Sequence, residues 1–169
     1  MKPTKKQLAE KLRGFVPFRS RTFITPTDYY ALSISLRENL LRTTIKFFLP
    51  DTAIRLEAME LSEVSHRLQL FHSEFNKALA HISCADTKLK NYRSRAFTSQ
   101  QLDKHSILAI YINRGAATIN VSDCYRMLCI SPDANGTPYL LRTCADEFAR
   151  ALAHFNAELQ RLGIDIDKL

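Results

Sequence analysis

Alternating apolar and small polar residues in Leu32-Ser-Ile-Ser-Leu36 constrain the fold of this chain more than any other short segment. Successive side chains of a strand lie on opposite faces, so the apolar residues would share one face and Ser33, Ser35 and Arg37 the other. The outward side chains of such a strand could contact a ligand. The same residues also fit an ordinary edge strand without that role, or the middle of a helix over 28–48. The alternation therefore predicts a strand and leaves the helical alternative open.

Two helices are predicted to follow this strand. The first is short and ends before Pro50, and the second is capped by Asp51 or Thr52 and runs to about Ile82. Apolar residues at spacings of three and four continue along the second helix as a narrow seam, at Leu61, Val64, Leu68, Phe71, Phe75, Ala78 and Ile82. Such a seam needs a partner, either inside a globular bundle or in a second copy of the chain. In a dimer the interface residues would be Leu61, Val64, Leu68, Phe71 and Phe75.

The C-terminal part of the chain predicts a β-hairpin and a last helix. Residues 107–112 and 117–121 are rich in β-branched residues and flank a turn at 113–115. Thr137 would then cap, and Pro138 would open, a helix that stops at Gly163. This helix is one candidate for the partner that the seam requires.

Positive charge is concentrated in the first part of the chain. Residues 1–100 carry 17 Lys and Arg against nine Asp and Glu, whereas residues 101–169 carry seven against eight. A one-sided excess of this kind is typical of proteins that bind nucleic acid. It also suits an anionic membrane surface or an acidic protein, or serves solubility alone.

Two segments are rich in basic residues, with seven Lys or Arg in residues 1–21 and four around Tyr92 in residues 86–97. Residues 1–27 are predicted to form a basic arm with a short helix capped by Thr4, which either tracks phosphates as a flexible tail or docks in part through its apolar residues. Residues 85–104 are predicted to form a basic linker in which Tyr92 would stack on a base. A solvated loop without a ligand is the alternative for the linker. The residues predicted to bind phosphates are Lys2, Lys5, Lys6, Arg13, Arg19, Arg21, Thr52, Lys88, Lys90, Arg93 and Arg95.

The segment of residues 31–70 resembles the ribbon-helix-helix family of DNA-binding regulators, in which an apolar-Ser/Thr-apolar-Ser/Thr-apolar strand precedes two helices. The resemblance implies that two chains pair their strands into an antiparallel ribbon that lies in the DNA major groove. Carried over to this chain, the base-reading residues would be Ser33, Ser35 and Arg37. The implied function is a homodimeric, sequence-specific regulator of transcription that binds duplex DNA.

No motif for catalysis, nucleotide binding or metal ligation is found. The chain has only four glycines and no glycine-rich phosphate loop, Gly-x-Ser-x-Gly or His-Glu-x-x-His sequence, and its four cysteines form no Cys-x-x-Cys pair. We therefore expect no catalytic residues, no cofactor, no metal and no small-molecule substrate. Since no long apolar run marks a signal peptide or a membrane span, we also expect a cytoplasmic protein that does not bind membranes.

These patterns together predict an α+β fold that is mainly helical. Its parts are the arm at 1–27, a strand-helix-helix unit for DNA binding and dimerisation at 28–84, the linker at 85–104, and the hairpin with the C-terminal helix at 105–169. The leading functional prediction is the DNA-binding regulator. The alternative is a non-enzymatic subunit of a larger nucleoprotein or protein assembly, which would bind RNA or single strands.

Overall fold

The structure is a computed structural model that describes residues 2–25, 30–38, 40–47, 52–97, 107–122 and 126–169. Its helices and strands follow in chain order as α1 (Lys5–Leu12), β1 (Phe18–Phe23), β2 (Tyr30–Arg37), β3 (Leu40–Phe47), β4 (Thr52–Ala58), α2 (Leu61–Ser83), β5 (Tyr92–Ala96), β6 (Leu108–Asn113), β7 (Ala116–Ser122), β8 (Met127–Ile130) and α3 (Thr137–Arg161). A short 3-10 helix, Ile166–Lys168, follows α3.

The described part of the chain is built from one structural unit that occurs twice. The strand order is β1-β2-β3-β4 in one antiparallel sheet, sheet A, and β5-β6-β7-β8 in the other, sheet B. A long helix comes after each sheet, α2 after sheet A and α3 after sheet B. Each unit is therefore a meander of four strands followed by a helix.

The two units also share short sequences at equivalent positions. The segment Phe18-Arg-Ser-Arg-Thr-Phe23 forms the first strand of one unit, and Tyr92-Arg-Ser-Arg-Ala-Phe97 includes the first strand of the other. The long helices share Glu-Phe-x-x-Ala-Leu-Ala-His, at 74–81 in α2 and at 147–154 in α3. Because the repeated sequences occur in the same order and in the same elements, they indicate an internal duplication.

The two long helices pack on each other in the core. The ring of Phe148 in α3 stacks on the rings of Phe71 and Phe75 in α2, with centroid distances of 4.9 and 5.9 Å. The seam of α2 therefore has its partner within the chain. The predicted dimer-interface residues are all buried in this core, namely Leu61, Val64, Leu68, Phe71 and Phe75.

Each long helix also contacts the chain just before the first strand of the other unit. Nε2 of His81 in α2 donates to the carbonyl oxygen of Lys90 at 2.7 Å, and Nε2 of His154 in α3 donates to that of Val16 at 2.6 Å. A carbonyl oxygen only accepts hydrogen bonds, so both imidazoles must carry a hydrogen on Nε2. The tautomers are thus fixed by the backbone that the histidines contact.

The rings of the same two histidines pack on the first residues of those strands. The His81 ring lies 5.0 Å from the ring of Tyr92 in β5, and the His154 ring lies 5.4 Å from the ring of Phe18 in β1. Tyr92 and Phe18 occupy the same position of the repeated sequence. The contacts between the units are therefore reciprocal: each long helix packs on the first strand of the other unit.

The N-terminal segment, predicted to be a basic arm, is docked on the second unit. Thr4 caps α1 with a capping box, and Leu12 and Phe15 are buried. The Phe15 ring lies 6.4 Å from that of Phe155 in α3. Apolar burial thus holds this segment against the end of α3.

A carboxylate of α3 adds polar contacts to this docking. Glu158 accepts hydrogen bonds from the backbone N–H of Val16 at 2.6 Å and from the guanidinium of Arg161 at 2.8 and 2.9 Å. Arg161 also donates to the carbonyl oxygen of Gly14. Hydrogen bonds from Arg161, and then from Val16, lower the pKa of Glu158 from its ordinary value of 4.5 to about 2.

We expect acid to weaken this docking. A carboxylate with a lowered pKa in the folded state stabilises the fold above pH 4.5 and loses that contribution as the pH falls toward about 2. Glu158→Gln keeps an acceptor for Val16 but removes the charge that faces Arg161. In urea unfolding it should be less stable than the wild type at neutral pH, and the difference should shrink as the pH approaches 2. Glu10→Gln, at an exposed position of α1, is the control and should behave as the wild type does; a Glu158 effect that is independent of pH would contradict the role of its charge.

The predicted mainly helical fold with a strand-helix-helix unit is wrong. The residues expected to form the short helix and the start of the long one form β3 and β4, and α2 begins at Leu61 instead of Thr52. Pro50 and Asp51, predicted to end one helix and cap the next, lie outside the described residues. The predicted linker contains β5, which is the first strand of the second unit. The chain is instead α+β with two four-stranded antiparallel sheets.

Candidate functional site

Sheet A has one face packed on the helices and one face toward solvent. Leu32, Ile34 and Leu36 of β2 are fully buried, and β2 contacts α3. On the opposite, outer face, the strand register places Arg21 beside Ser33 and places Arg19 and Arg42 on either side of Ser35. The alternation at 32–36 therefore separates core residues from a polar outer face.

A shallow groove of about 540 Å³ lies on this outer face. Ser33 and Ser35 of the inner strand β2 are half-buried and form its floor, because their side chains are short. Longer side chains surround them, namely Arg19, Arg21, Arg37 and Arg42. The groove is thus open to solvent, with small polar side chains at its floor and positively charged side chains at its rim.

One basic and one acidic side chain extend the outer face beyond the groove. Arg55 of β4 lies on the same face as Arg42, and Glu57 is the acidic side chain that the described strands of sheet A place there. Glu57 forms an ion pair with Arg42 at 2.8 Å. Because a guanidinium presents its N–H groups in one plane, arginines suit bidentate contacts to phosphate or carboxylate groups. The face is therefore suited to an anionic ligand.

An exposed aromatic ring follows the two arginines of β1 on the outer face. Phe23 takes the next outward position of β1 after Arg19 and Arg21, and it is 38% exposed. Rings of this kind stack on unpaired bases when the neighbouring cations hold the phosphates.

All three predicted base-reading residues lie on this outer face. Ser33 and Ser35 are in the groove floor, and Arg37 is exposed at the end of β2. However, β2 pairs with β1 along one edge and with β3 along the other. It therefore has no free edge with which to pair with its own copy, as the ribbon arrangement requires.

The predicted phosphate ligands are spread over several parts of the structure. Arg19 and Arg21 line the groove, and Arg93 and Arg95 lie on the outer face of sheet B. The others lie away from both sheet faces or at strand ends: Lys2, Lys5, Lys6 and Arg13 on or beside α1, Lys88 and Lys90 between α2 and β5, and Thr52 at the start of β4. Thr52 therefore supplies no helix N-terminus for a phosphate.

The aromatic residue predicted to stack on a base, Tyr92, faces the helices. It is half-buried against His81 on the inner side of sheet B. The aromatic residue exposed near the same arginines is Phe97. Sequence analysis missed Phe97 and Phe23, although the repeat of aromatic-Arg-Ser-Arg-x-Phe at 18–23 and 92–97 was a signal that could have found them.

A second depression, of about 610 Å³, lies between α1 and the C-terminal residues. Lys2, Lys11 and Lys168 line it together with Glu10 and Asp165. Its mixed charges favour neither an anionic nor a cationic ligand. The groove of sheet A has the more definite chemistry.

Three cysteines lie in the described part of the chain, in different surroundings. Cys84 is exposed just after α2, and hydrogen bonds from the Asp86 backbone and then the Thr87 side chain lower the pKa of its thiol. Cys129 is exposed and Cys144 is buried, whereas Cys124 lies outside the described residues. Over the part of the chain that the structure describes, no three His, Cys, Asp or Glu side chains are placed to hold a metal ion.

None of the helices in the described ranges has the length and apolar character needed to cross a bilayer. Comparison of the chain with protein-family models, with curated proteins and with solved structures finds no match.

Proposed function

We propose that this protein binds single-stranded nucleic acid, RNA or DNA, on the outer face of sheet A. The observation that carries the proposal is the groove, with its arginine rim and its serine floor, together with the exposed ring of Phe23, two residues beyond Arg21 on the same face of β1. The arginines would hold phosphates, the ring would stack on a base, and the hydroxyls of Ser33 and Ser35 would donate to phosphate or base oxygens.

The exposed ring and the strand order favour a single strand over duplex DNA as the ligand. Bases of a duplex are already stacked on one another, and inserting an aromatic side chain between them costs unstacking energy, so the Phe23 ring favours unpaired bases. The ribbon of the regulator prediction needs a strand with a free edge, and β2 is paired along both edges. These features support the predicted single-strand-binding subunit, while regulation of transcription through duplex DNA stays a prediction from the sequence.

The proposal is tested by measuring affinity for labelled single-stranded RNA, single-stranded DNA and duplex DNA of one sequence at two salt concentrations. We expect both single strands to bind more tightly than the duplex. If Arg19, Arg21 and Arg37 each neutralise one phosphate while Arg42 stays paired with Glu57, affinity for a single strand should fall roughly 20-fold between about 50 and 200 mM salt.

Two results would contradict the proposal. Affinity that hardly changes with salt would show that the protein does not contact phosphates, because each such contact releases counterions. Tighter binding to the duplex than to either single strand would favour the regulator instead.

A further inference from the structure

The outer face of sheet B repeats the row of charged and aromatic residues found on sheet A. Arg93 and Arg95 occupy alternate positions of β5 and Phe97 comes just after its last residue, whereas Arg19, Arg21 and Phe23 all lie within β1. Phe97 is 41% exposed, close to the 38% of Phe23. Both units therefore present two arginines on the edge strand and a solvent-exposed ring at or just after its end, in the same order.

The charge of this second face also suits an anionic ligand. No Asp or Glu occurs in the described strands β5, β6, β7 and β8, whose other outward residues include Thr118, Asn120 and Ser122. The two arginines are therefore not neutralised within the sheet. Cationic side chains among neutral polar ones attract a phosphate backbone without fixing its sequence.

The two faces differ in how their arginines are held. Arg93 lies opposite Tyr111 on sheet B, where sheet A has Ser35 opposite Arg19. The guanidinium of Arg93 lies 5.5 Å from the centre of the Tyr111 ring, and that of Arg95 lies 5.5 Å from the Phe97 ring. A guanidinium over a ring still directs its N–H groups outward in its own plane, so it can stack and donate at once.

We infer that the outer face of sheet B is a second site for single-stranded nucleic acid, which stacks bases on Phe97 and Tyr111 while Arg93 and Arg95 contact the phosphates. This inference rests on the function proposed for sheet A. Each chain would then bind two separate strands, or two segments of one strand.

Stoichiometry tests the second site. We expect a single-stranded oligonucleotide of about six nucleotides, which is near the short end of the site sizes of single-strand-binding domains, to bind the full-length protein at two per chain in a calorimetric titration. Arg93→Ala/Phe97→Ala should bind one per chain, with the affinity of the sheet A site unchanged. Arg142→Ala/Leu89→Ala removes one exposed arginine and one exposed apolar side chain elsewhere, so it is the matched control and should still bind two.

A second variant guards against a loss caused by misfolding. Arg93→Gln/Arg95→Gln keeps both aromatic rings and similar side-chain lengths, and it should also bind one oligonucleotide per chain. A wild-type protein that binds one per chain, with neither sheet B variant affecting it, would overturn the second site and leave the proposed function intact. A wild-type protein that binds none would overturn the proposed function itself.

Discussion

Phe148→Ala should lower the free energy of unfolding by about 3–5 kcal/mol, the usual cost of removing a buried phenylalanine ring. Phe148 is 1% exposed and stacks on both Phe71 and Phe75, so its loss leaves a cavity where the two long helices meet. Small domains are stable by only about 5–15 kcal/mol, and the variant should therefore lose a large share of its stability. Urea unfolding followed by circular dichroism measures the change.

Leu89→Ala is the matched control for this substitution, because it also truncates a large apolar side chain but at a position that is 74% exposed. It should change the unfolding free energy by less than about 0.5 kcal/mol. If Phe148→Ala were as mild as this control, the two helices would not form the core that the structure shows.

Arg19→Ala/Arg21→Ala should weaken binding of a single-stranded oligonucleotide by about 100-fold or more. A hydrogen bond to a charged group contributes about 1.5–3 kcal/mol, so the loss of two phosphate contacts removes about 3 kcal/mol at least. Both side chains lie on the outer face of an edge strand, and their removal should leave the melting temperature nearly unchanged. Fluorescence anisotropy at low salt gives the affinity.

Lys5→Ala/Lys6→Ala removes the same amount of charge from α1, which is docked at the end of α3. It should reduce affinity only a few-fold, through the weaker long-range attraction of the ligand. Equal losses for the two double variants would mean that net charge alone drives binding and that the groove is not the interface.

Local patterns predicted some elements of this fold and misassigned others for identifiable reasons. The seam at 61–82 and the stripe after Pro138 predicted long helices, since a period of three to four is distinctive over many residues. In β3 the alternation is hidden, because the buried position 43 is a threonine and Leu40 opens the strand on the outer face. In β4 the sequence Ile54-Arg-Leu-Glu-Ala58 does alternate, but Pro50-Asp51-Thr52 before it has the composition of a helix start.

The candidate site could be predicted from the sequence only in part, because it depends on pairing between strands that are distant in the chain. Outward positions of Ser33, Ser35 and Arg37 follow from alternation within one strand. Their position beside Arg19, Arg21 and Arg42 depends on the register with β1 and β3, which no local pattern specifies. The repeated aromatic-Arg-Ser-Arg motif would have shown that the two segments are equivalent, yet it could not show that each forms an edge strand.

The reciprocal contacts of His81 and His154 give this single chain the geometry of a two-fold symmetric dimer. In an isologous interface, each contact made by one partner is returned by the other, as these two histidines do for the two units. A homodimer of separate chains must carry identical residues on its two faces, because one gene encodes both. Joined in one chain, the halves are free to diverge, which is how Ser35 and Tyr111 come to stand at equivalent positions of the two sheets.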